Sequence, residues 1–378
     1  MYKIAVIGAN EPLIPFYKQA KALGYYLVGI AWAEGAVCKE FCNSFYPISF
    51  SDREAVLRVC KEEGVDGITS FSLESALPTV VYVAQAMGLV SNSEECVRRT
   101  ETKYAQRLAF ENNGISVPKY LKLHKGNQCD TSQMRYPIIV KPLDSGGSQG
   151  ITKLDSPDAL PEALEEAYNH SRTENAIVEE FIDGREFSVE SISHNGKHYI
   201  LQITDKVTSG APHFIEMAHH QPADITEEMA SKISNTVDKA LTALKIENSP
   251  SHTELKVNSR GEIYIIEIGA RMGGDRITCD LVRLSTGYDM VKGVIELAVG
   301  RFTEPVLPSK HYSGVYFYSK LAPEVGDIIR NSNHYPEIVE CGIKEGPLPE
   351  VKSNADRGGY FIYQSNKQRF KYGTYSVF

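Results

Sequence analysis

The first 95 residues alternate between short apolar runs and amphipathic stretches. An apolar run at residues 3–8, KIAVIG, precedes a helical pattern over residues 13–23 and a second apolar run, YYLVGIAW. The alternation continues through AVLRVCKEEGV, DGITSF and ALPTVVYVAQAMGL. Apolar strands that alternate with helices favour a parallel sheet with crossover helices. We therefore predict a doubly wound α/β domain over residues 1–95, although its first turn, IGANEP, lacks the dinucleotide-binding spacing.

The pattern after residue 95 is no longer a strict alternation. One charged helix is predicted from Glu94 through SEECVRRTETKYAQRLAFENNG to a glycine stop at Gly114. Strands, a helix and further strands then follow in irregular order, which indicates an α+β arrangement. The last seventy or so residues are strand-like and punctuated by Pro and Gly. We place the further domain boundaries at residues 96–182, 183–300 and 301–378, the last a β-rich segment without an interpretable motif.

Composition narrows the class of protein. The chain has 378 residues, 42% of them hydrophobic and 23% charged, which is typical of a globular protein with two or three domains. Its net charge of −8 argues against general nucleic-acid binding. No secretory signal or membrane-spanning stretch is apparent, and the seven cysteines form no CxxC pair. We expect a cytoplasmic protein with reduced thiols, no membrane partner and no nucleic-acid partner.

The stretch KPLDSGGSQG, residues 141–150, joins two short strand-like runs through a glycine-rich loop. Backbone N–H groups of such a loop can cradle an anionic phosphate, and Lys141 can neutralise its charge. The spacing matches neither the P-loop nor the dinucleotide motif. Phosphate binding and an ordinary β-hairpin therefore both remain open from this stretch alone.

Two glutamates flank a predicted hairpin in HTELKVNSRGEIYIIEIGARMGG. If residues 258–261 form the turn, Glu254 and Glu267 lie on adjacent antiparallel strands. Like charges on one face repel unless a cation lies between them, and carboxylate oxygens suit Mg²⁺. Glu267 lies in an otherwise apolar strand, where an unpaired carboxylate is costly. We predict a metal site here; the alternative is two glutamates on an exposed face.

Three further stretches contain candidate binding or catalytic residues. Arg271, in GARMGG, can contact phosphate or carboxylate oxygens through its guanidinium fork. Residues 178–190, VEEFIDGREFSVE, offer apolar and acidic side chains suited to a purine and a ribose. His213, His219 and His220 invite a transition-metal interpretation, but adjacent histidines on an extended segment point in opposite directions. A polar substrate pocket or plain loop structure are the alternatives.

In this order, the motifs resemble those of the ATP-grasp enzymes over roughly residues 1–300. In that superfamily two α+β subdomains clasp ATP, and a carboxylate is activated as an acylphosphate that an amine or thiol attacks. The resemblance implies an ATP-grasp fold with an N-terminal doubly wound parallel-sheet domain. It also implies ATP and Mg²⁺ as cofactors, with two Mg²⁺ ions and with Mn²⁺ as a possible substitute, and a homodimer.

The resemblance assigns roles to single residues. The positions that match nucleotide-binding residues are Lys103, Lys141, Ser145, Gly146, Gly147, Ser148, Glu179, Ile182 and Glu186. The lysines and the loop would contact the phosphates, residues 179 and 182 the adenine, and residue 186 the ribose. Glu254 and Glu267 match magnesium ligands. Arg271 would stabilise the negative oxygens of the acylphosphate and of the tetrahedral intermediate.

One departure from the superfamily pattern concerns the metal. Many members carry Asn two residues after the second metal glutamate, where this chain has Gly269, which implies more water on one Mg²⁺. The variant EIGARMGG is similar to the L-amino acid ligase branch. In that branch Glu216 and His219 would line the amino-acid pocket and could accept the proton of the amine.

The resulting expectation is an ATP-dependent carboxylate–amine ligase that acts on amino acids and releases ADP and phosphate. One alternative is a ligase or carboxylase of another substrate class, of the purine-biosynthesis or carbamoyl-phosphate type. The other is a nucleotide-binding regulatory protein without turnover. The intact set of Glu254, Glu267 and Arg271 favours an enzyme, because a sensor needs no group that stabilises an acylphosphate.

Overall fold

A computed structural model describes residues 1–145 and 149–371. The N-terminal part confirms the predicted doubly wound domain. Its parallel strands, in the order β3-β2-β1-β4, are β1 (Lys3–Ile7), β2 (Tyr26–Ile30), β3 (Ser44–Tyr46) and β4 (Gly67–Ser70). Its helices are α1 (Ile14–Ala22), α2 (Arg53–Glu63) and α3 (Leu77–Met87). Alternate residues of β1 face opposite layers, because Ile4 and Val6 pack with α1 whereas Ala5 and Ile7 pack with α2 and α3.

The single charged helix predicted from Glu94 to Gly114 is wrong. The chain forms two helices, α4 (Glu94–Thr100) and α5 (Lys103–Asn112). Thr102 is extended between them, with φ −138° and ψ 153°, and its side chain accepts a hydrogen bond from the Ala105 N–H. A threonine hydroxyl at this position satisfies a backbone donor that would otherwise lack a partner, which favours a new helix start. The break makes Lys103 the first residue of α5.

The strands on either side of the glycine-rich stretch belong to a four-stranded antiparallel sheet. Its strands, in the order β5-β8-β6-β7, are β5 (Tyr120–His124), β6 (Ile138–Pro142), β7 (Thr152–Leu154) and β8 (Asn175–Glu180). Helix α6 (Leu160–Asn169) packs on this sheet through Ala163 and Ala167. Ile138 pairs with Leu154 across β6 and β7, so the two apolar runs are joined as the sequence predicts.

An eight-stranded antiparallel sheet unites the rest of the chain. Its order is β13-β12-β9-β10-β11-β14-β16-β15, and its strands are β9 (Arg185–His194), β10 (Lys197–Thr208), β11 (Glu216–Gln221), β12 (Ser249–Val257), β13 (Ile263–Gly269), β14 (Tyr312–Tyr318), β15 (Ile338–Ile343) and β16 (Gly359–Ser365). The remaining helices are α7 (Glu227–Ala243), α8 (Val282–Thr286), α9 (Met290–Ala298) and α10 (Pro323–Arg330). The segment after residue 300 therefore extends the same sheet, with β14 paired to β11.

Two features of the packing affect the predicted division into domains. Val291 and Val294 of α9 share a core with β1 and α1, so a helix from the last quarter of the chain packs on one face of the N-terminal sheet. Phe71, just after β4, forms a bridge with Met272. These contacts place the carboxyl edge of the N-terminal sheet beside the residues that follow β13.

Two further expectations can be compared with the structure. In the residues described, the structure has no helix that combines enough length and enough apolar character to span a bilayer. The seven cysteines all lie in the described ranges and all are free thiols.

Candidate functional site

Lys103 joins three parts of the site. Its ammonium donates to the Ser145 carbonyl at 2.7 Å and lies 3.1 Å from Oε1 of Glu267. Its side chain is 7% exposed. Burial alone would lower the pKa of Lys103, but Glu267 and Glu74 outweigh it and raise the pKa above its usual value. The lysine therefore remains a cation between the start of the glycine-rich loop and the predicted metal site. Gly146, Gly147 and Ser148 of that loop lie outside the described residues.

Lys141 belongs to a buried ionic cluster with Glu179 and Arg107. The Glu179 carboxylate is 2.6 Å from the Lys141 ammonium and 2.5 Å from Nε of Arg107. Burial would raise the pKa of Glu179, but Arg107 and Lys141 outweigh it and lower the pKa to about 2. Burial lowers the pKa of Lys141, which Glu179 only partly opposes. The Glu179 carboxylate already pairs with both Arg107 and Lys141, so it has a structural role in holding Lys141 in place.

The hairpin places the two predicted metal glutamates opposite each other. The register pairs Glu254 on β12 with Glu267 on β13, and a shift in the ladder follows directly after Glu254. Burial raises the pKa of Glu267, with Lys103 opposing, whereas Lys206 outweighs burial and keeps the pKa of Glu254 well below its usual range. Each carboxylate thus faces a lysine ammonium, and metal binding by the pair stays a prediction.

Lys206 is a central residue that sequence reasoning missed. Its ammonium lies 2.7 Å from Glu216, 2.8 Å from Glu254 and 3.6 Å from Glu186, and its side chain is 2% exposed. Burial favours the neutral amine, but the three carboxylates outweigh burial and raise the pKa of Lys206 well above its usual value. The available signal was a lysine near the end of the long, largely apolar strand YILQITDKVT. Such a residue is buried only when acidic partners surround it.

Arg271 connects the hairpin to the N-terminal domain. Its guanidinium donates to Oε1 of Glu74 at 2.8 Å and to the Met272 carbonyl at 3.2 Å. Its Nε is buried and has no hydrogen-bond partner among the residues that the structure describes. A donor of this kind can serve an anionic oxygen. Glu74 was also missed, although it lies just past the carboxyl end of β4, where α/β sheets bind ligands.

The same contact explains the departure at Gly269. A β-carbon at this position would lie 2.8 Å from Oε1 of Glu74 and 3.0 Å from Nε of Arg271. The ends of the Glu74 and Arg271 side chains therefore lie against this position and would have to shift to admit an asparagine side chain. The glycine that removes the amide ligand also leaves room for the Glu74–Arg271 ion pair.

A buried pair supports Glu254 from the side of the sheet. His252 Nδ1 lies 2.6 Å from Oε1 of Glu190, and its Nε2 lies 3.4 Å from Oε1 of Glu254. Burial opposes the imidazolium, but Glu190 outweighs it and raises the pKa of His252 to about 9. Thr278 donates to the other Glu190 oxygen at 3.2 Å. The contact with Glu190 therefore orients the His252 ring so that its Nε2 faces the Glu254 carboxylate.

A β-bulge brings Glu216 and His219 together. Val207 pairs with Ala218 and Thr208 with Glu216, so Met217 is the extra residue on β11. His219 Nε2 consequently lies 3.3 Å from Oε2 of Glu216. His220 points away from this group, and its Nδ1 lies 3.0 Å from the Tyr363 hydroxyl. The three-histidine alternative is therefore not a single cluster.

The predicted nucleotide residues have different surroundings. Lys103 contacts both Glu267 and the Ser145 carbonyl, whereas Lys141 and Glu179 pair with each other in the buried ionic cluster. Ile182 follows the end of β8 and is half-buried. The Glu186 carboxylate, on β9, faces the Lys206 and Lys256 ammonium groups, at 3.6 and 3.7 Å. Adenine and ribose contacts at these positions stay predictions.

Comparison with known proteins agrees with this arrangement. Residues 134–280 match a family model described as an ATP-grasp domain. A D-alanine–D-alanine ligase of Flavobacterium johnsoniae is 32% identical over 165 residues, which are 41% of this chain and 47% of that protein. An alanine–anticapsin ligase of Bacillus subtilis is 22% identical over 268 residues, which are 65% of this chain and 56% of that protein.

The solved structures extend the likeness in fold to nearly the whole chain. A crystal structure of an L-amino acid ligase from Bacillus licheniformis superposes with a TM-score of 0.80 at 24% identity, over 97% of this chain and 94% of that one. The chain spans about half the length of the curated relatives it matches. The predicted ATP-grasp fold is thereby confirmed, and residues 134–280 match the ATP-grasp domain model.

Proposed function

We propose that this protein is an ATP-dependent ligase that activates a carboxylate as an acylphosphate and joins it to an amine. We further propose that its substrates are amino acids and that it releases ADP and phosphate. The observation that carries the proposal is the position of Lys103. One buried ammonium contacts both the start of the glycine-rich loop and Glu267 of the metal hairpin. Ser145 at the start of the loop, a cation and one hairpin carboxylate therefore lie together, and phosphoryl transfer requires groups of these kinds.

The donor set at the hairpin fits a divalent cation. Glu254 and Glu267 present carboxylate oxygens from directly paired positions, and hard oxygen ligands suit Mg²⁺ or Mn²⁺. When bound, the metal would offset the charge of the phosphates during in-line transfer. Two ions would need further oxygens from ATP and water, because Gly269 brings no side chain to the site. A pair of Mg²⁺ ions and a homodimer are parts of the same proposal.

Lys103, Lys206, Arg271 and Glu216 have different proposed roles. Lys103 and Lys206 keep positive charge beside the two hairpin carboxylates. The unpartnered Nε–H of Arg271 is available to an oxyanion of the acylphosphate. Glu216 is a weak base, because Lys206 outweighs burial and holds the pKa of Glu216 well below its usual value. We therefore assign Glu216 to substrate binding.

A direct test separates the proposed ligase from its alternatives. The purified protein is incubated with ATP, Mg²⁺ and single amino acids, with hydroxylamine as a general amine. We expect ADP, phosphate and an aminoacyl hydroxamate, because hydroxylamine captures an acylphosphate. Formation of AMP and pyrophosphate would contradict the acylphosphate route. Turnover with bicarbonate alone would favour a carboxylase, and ATP binding without turnover would favour a regulatory protein.

The break before Lys103 supplies a second prediction. Replacing Thr102 by alanine removes the hydroxyl that accepts from Ala105, at 3.1 Å, and we expect it to lower the free energy of unfolding by about 1 kcal/mol. Because Lys103 is the next residue, KM for ATP should also rise. Steady-state kinetics and urea unfolding measure the two effects.

A matched control lies at the start of α7. Thr226 caps that helix in the same way, accepting from the Met229 N–H at 3.2 Å. The Thr226→Ala variant should lose similar stability while KM for ATP stays unchanged. Equal KM changes in the two variants would show that the position of Lys103 does not depend on this cap.

A further inference from the structure

We propose that Glu74 of the N-terminal domain is a positioning residue that holds the Arg271 guanidinium where it can stabilise the acylphosphate. The inference rests on the proposed ligase function, in which Arg271 serves that oxyanion, and adds the N-terminal domain to the parts that the reaction requires. Without the Glu74 charge the protein should still fold and bind ATP, but phosphoryl transfer to the carboxylate should be slow.

The backbone places Glu74 beside Arg271. Glu74 is the fourth residue after β4, at the carboxyl edge of the N-terminal sheet. Phe71, which directly follows β4, forms a β-bridge with Met272, the residue after Arg271. This bridge joins the two segments close to both side chains, so it limits how far Glu74 and Arg271 can move apart.

The two side chains form a direct ion pair. Nη2 of Arg271 donates to Oε1 of Glu74 at 2.8 Å, and Nη1 donates to the Met272 carbonyl at 3.2 Å. A planar guanidinium that is bound through two of its nitrogen atoms has little freedom to rotate. Each of these nitrogens keeps a second N–H, and Nε is buried without a hydrogen-bond partner in the described part of the chain. The remaining donors are available to an anionic oxygen.

Glu74 also balances the charge of Arg271. Burial would lower the pKa of Arg271, but Glu74, followed by Glu254 and Glu267, outweighs burial and raises the pKa above its usual value. A third carboxylate beside the two hairpin glutamates is unfavourable by itself, because like charges repel. Pairing with the guanidinium offsets that repulsion, so the position of Glu74 and the position of Arg271 depend on each other.

The neighbouring carboxylates explain why Arg271 needs Glu74. Glu254 and Glu267 attract the same guanidinium, although less than Glu74 does. In the absence of the Glu74 charge, Arg271 would turn towards these predicted metal ligands, because they are the remaining negative charges beside it. Fewer of its donors would then be left for the acylphosphate.

Gly269 supports the same inference. A β-carbon at this position would lie 2.8 Å from Oε1 of Glu74 and 3.0 Å from Nε of Arg271. Gly269 is the last residue of β13 and does not have the positive φ that favours glycine. The glycine is therefore explained by the close approach of the ion pair and not by the backbone conformation.

The exposure of the pair argues against a purely structural role. The side chain of Glu74 is 40% exposed and that of Arg271 is 16% exposed. An ion pair with this much access to solvent contributes little to folding. Removing the Glu74 charge should therefore have a small effect on stability, so a large effect on turnover would come from the position of Arg271.

The experiment compares Glu74→Gln with the wild-type protein in the hydroxylamine assay. The amide keeps the size of the side chain but loses the charge that attracts the guanidinium. We expect kcat to fall by about tenfold or more, because a displaced donor stabilises the oxyanion less. The affinity for adenylyl imidodiphosphate, an ATP analogue that is not hydrolysed, should change by less than about twofold in calorimetry. Gly269→Ala should lower kcat in the same way, since its methyl group displaces the ends of both side chains.

A double-mutant cycle with Arg271→Lys tests whether Glu74 acts through Arg271. Lysine keeps the positive charge but lacks the planar fork. If Glu74 only positions the guanidinium, adding Glu74→Gln to Arg271→Lys should lower kcat by less than about twofold further. Losses that multiply would show an independent role of Glu74 and would overturn the inference.

Glu63→Gln is the matched control. Glu63 pairs with Lys3 at 3.3 Å at the amino edge of the same sheet, and its side chain is 12% exposed, so it is more buried than Glu74. The variant should lower stability in urea unfolding at least as much as Glu74→Gln does, while kcat stays unchanged. An unchanged or higher kcat in Glu74→Gln, with ADP still formed, would overturn the inference and leave the proposed ligase intact. Absence of ADP and hydroxamate with every carboxylate, in the wild-type protein, would contradict both proposals.

Discussion

Replacing Glu267 by glutamine is expected to lower kcat of the ATP-dependent reaction by about 100-fold or more. The amide keeps the shape of the side chain but removes the negative charge that faces Lys103 at 3.1 Å and Glu254 across the hairpin. A neutral amide is a weaker ligand for a divalent cation than a carboxylate. The Mg²⁺ concentration required for half-maximal rate should therefore rise, which a magnesium titration at saturating ATP measures.

The control for this variant lies on the same hairpin. Glu262 precedes β13 and is bonded to Arg260 and Asn258 at the exposed turn, away from the lysines. Glu262→Gln should alter kcat by no more than about twofold, because exposed ion pairs contribute little. Unchanged ADP formation and an unchanged magnesium requirement in Glu267→Gln would show that the hairpin carboxylates do not hold the metal.

The parts of the site that the sequence predicts share one property: they lie on regular elements with local signals. The turn at residues 258–261 sets the register that pairs Val257 with Ile263 and Leu255 with Ile265. The shift in the ladder after Glu254, for which the sequence has no local signal, then brings Glu254 opposite Glu267. The apolar runs on both sides of the glycine-rich loop determine the pairing of β6 with β7. Periodicity and turn chemistry therefore predict which strands pair, because these strands are close in sequence, but they do not predict the shift.

The residues that the sequence does not reveal depend on contacts distant in the chain. Lys206 meets Glu254 across a separation of 48 residues, and Arg271 meets Glu74 across 197. Neither lysine nor glutamate carries a local pattern that identifies its partner. Only the order of strands in the eight-stranded sheet and the docking of the N-terminal sheet place these charges together.

The C-terminal segment shows the same limitation. The segment is predicted to be β-rich, but nothing in its sequence indicates that β14 pairs with β11. That pairing places Phe317 beside His219, with ring centroids 5.7 Å apart, and brings Arg357 over the same phenyl ring. A segment without a recognisable motif thereby supplies a wall of the candidate substrate pocket.

Glu179 illustrates a different limit. Its place in a nucleotide-binding motif suggests contact with adenine, yet its carboxylate is bound by Arg107 and Lys141 in the interior. All three side chains are nearly inaccessible to solvent. Removing one charge of a buried ion pair lowers the free energy of unfolding by much more than the intact pair contributes to it. The reason is that the remaining charge stays buried without a partner. The residue should therefore matter for stability as well as for nucleotide binding.

Replacing Glu179 by glutamine is accordingly expected to lower the free energy of unfolding by about 3 to 5 kcal/mol at neutral pH. The variant leaves two buried cations, the Arg107 guanidinium and the Lys141 ammonium, without their shared anion. Urea unfolding followed by circular dichroism measures the change. Glu180→Gln is the control, since the adjacent carboxylate pairs with the exposed Arg135 at 3.4 Å and should alter stability by less than about 1 kcal/mol.

The pH dependence of the wild-type protein gives an independent check. Burial raises the pKa of Glu179, but Arg107 and Lys141 outweigh it and lower the pKa to about 2 in the folded state. In the unfolded chain the pKa of a glutamate is about 4.3, so the stabilisation, about 3 kcal/mol, is present above that pH and is lost as pH falls towards 2. The Glu179→Gln variant lacks this titration, so the stability difference between the two proteins should shrink across the same range. A difference that stays constant between pH 5 and pH 2 would show that the Glu179 charge is not what stabilises the cluster.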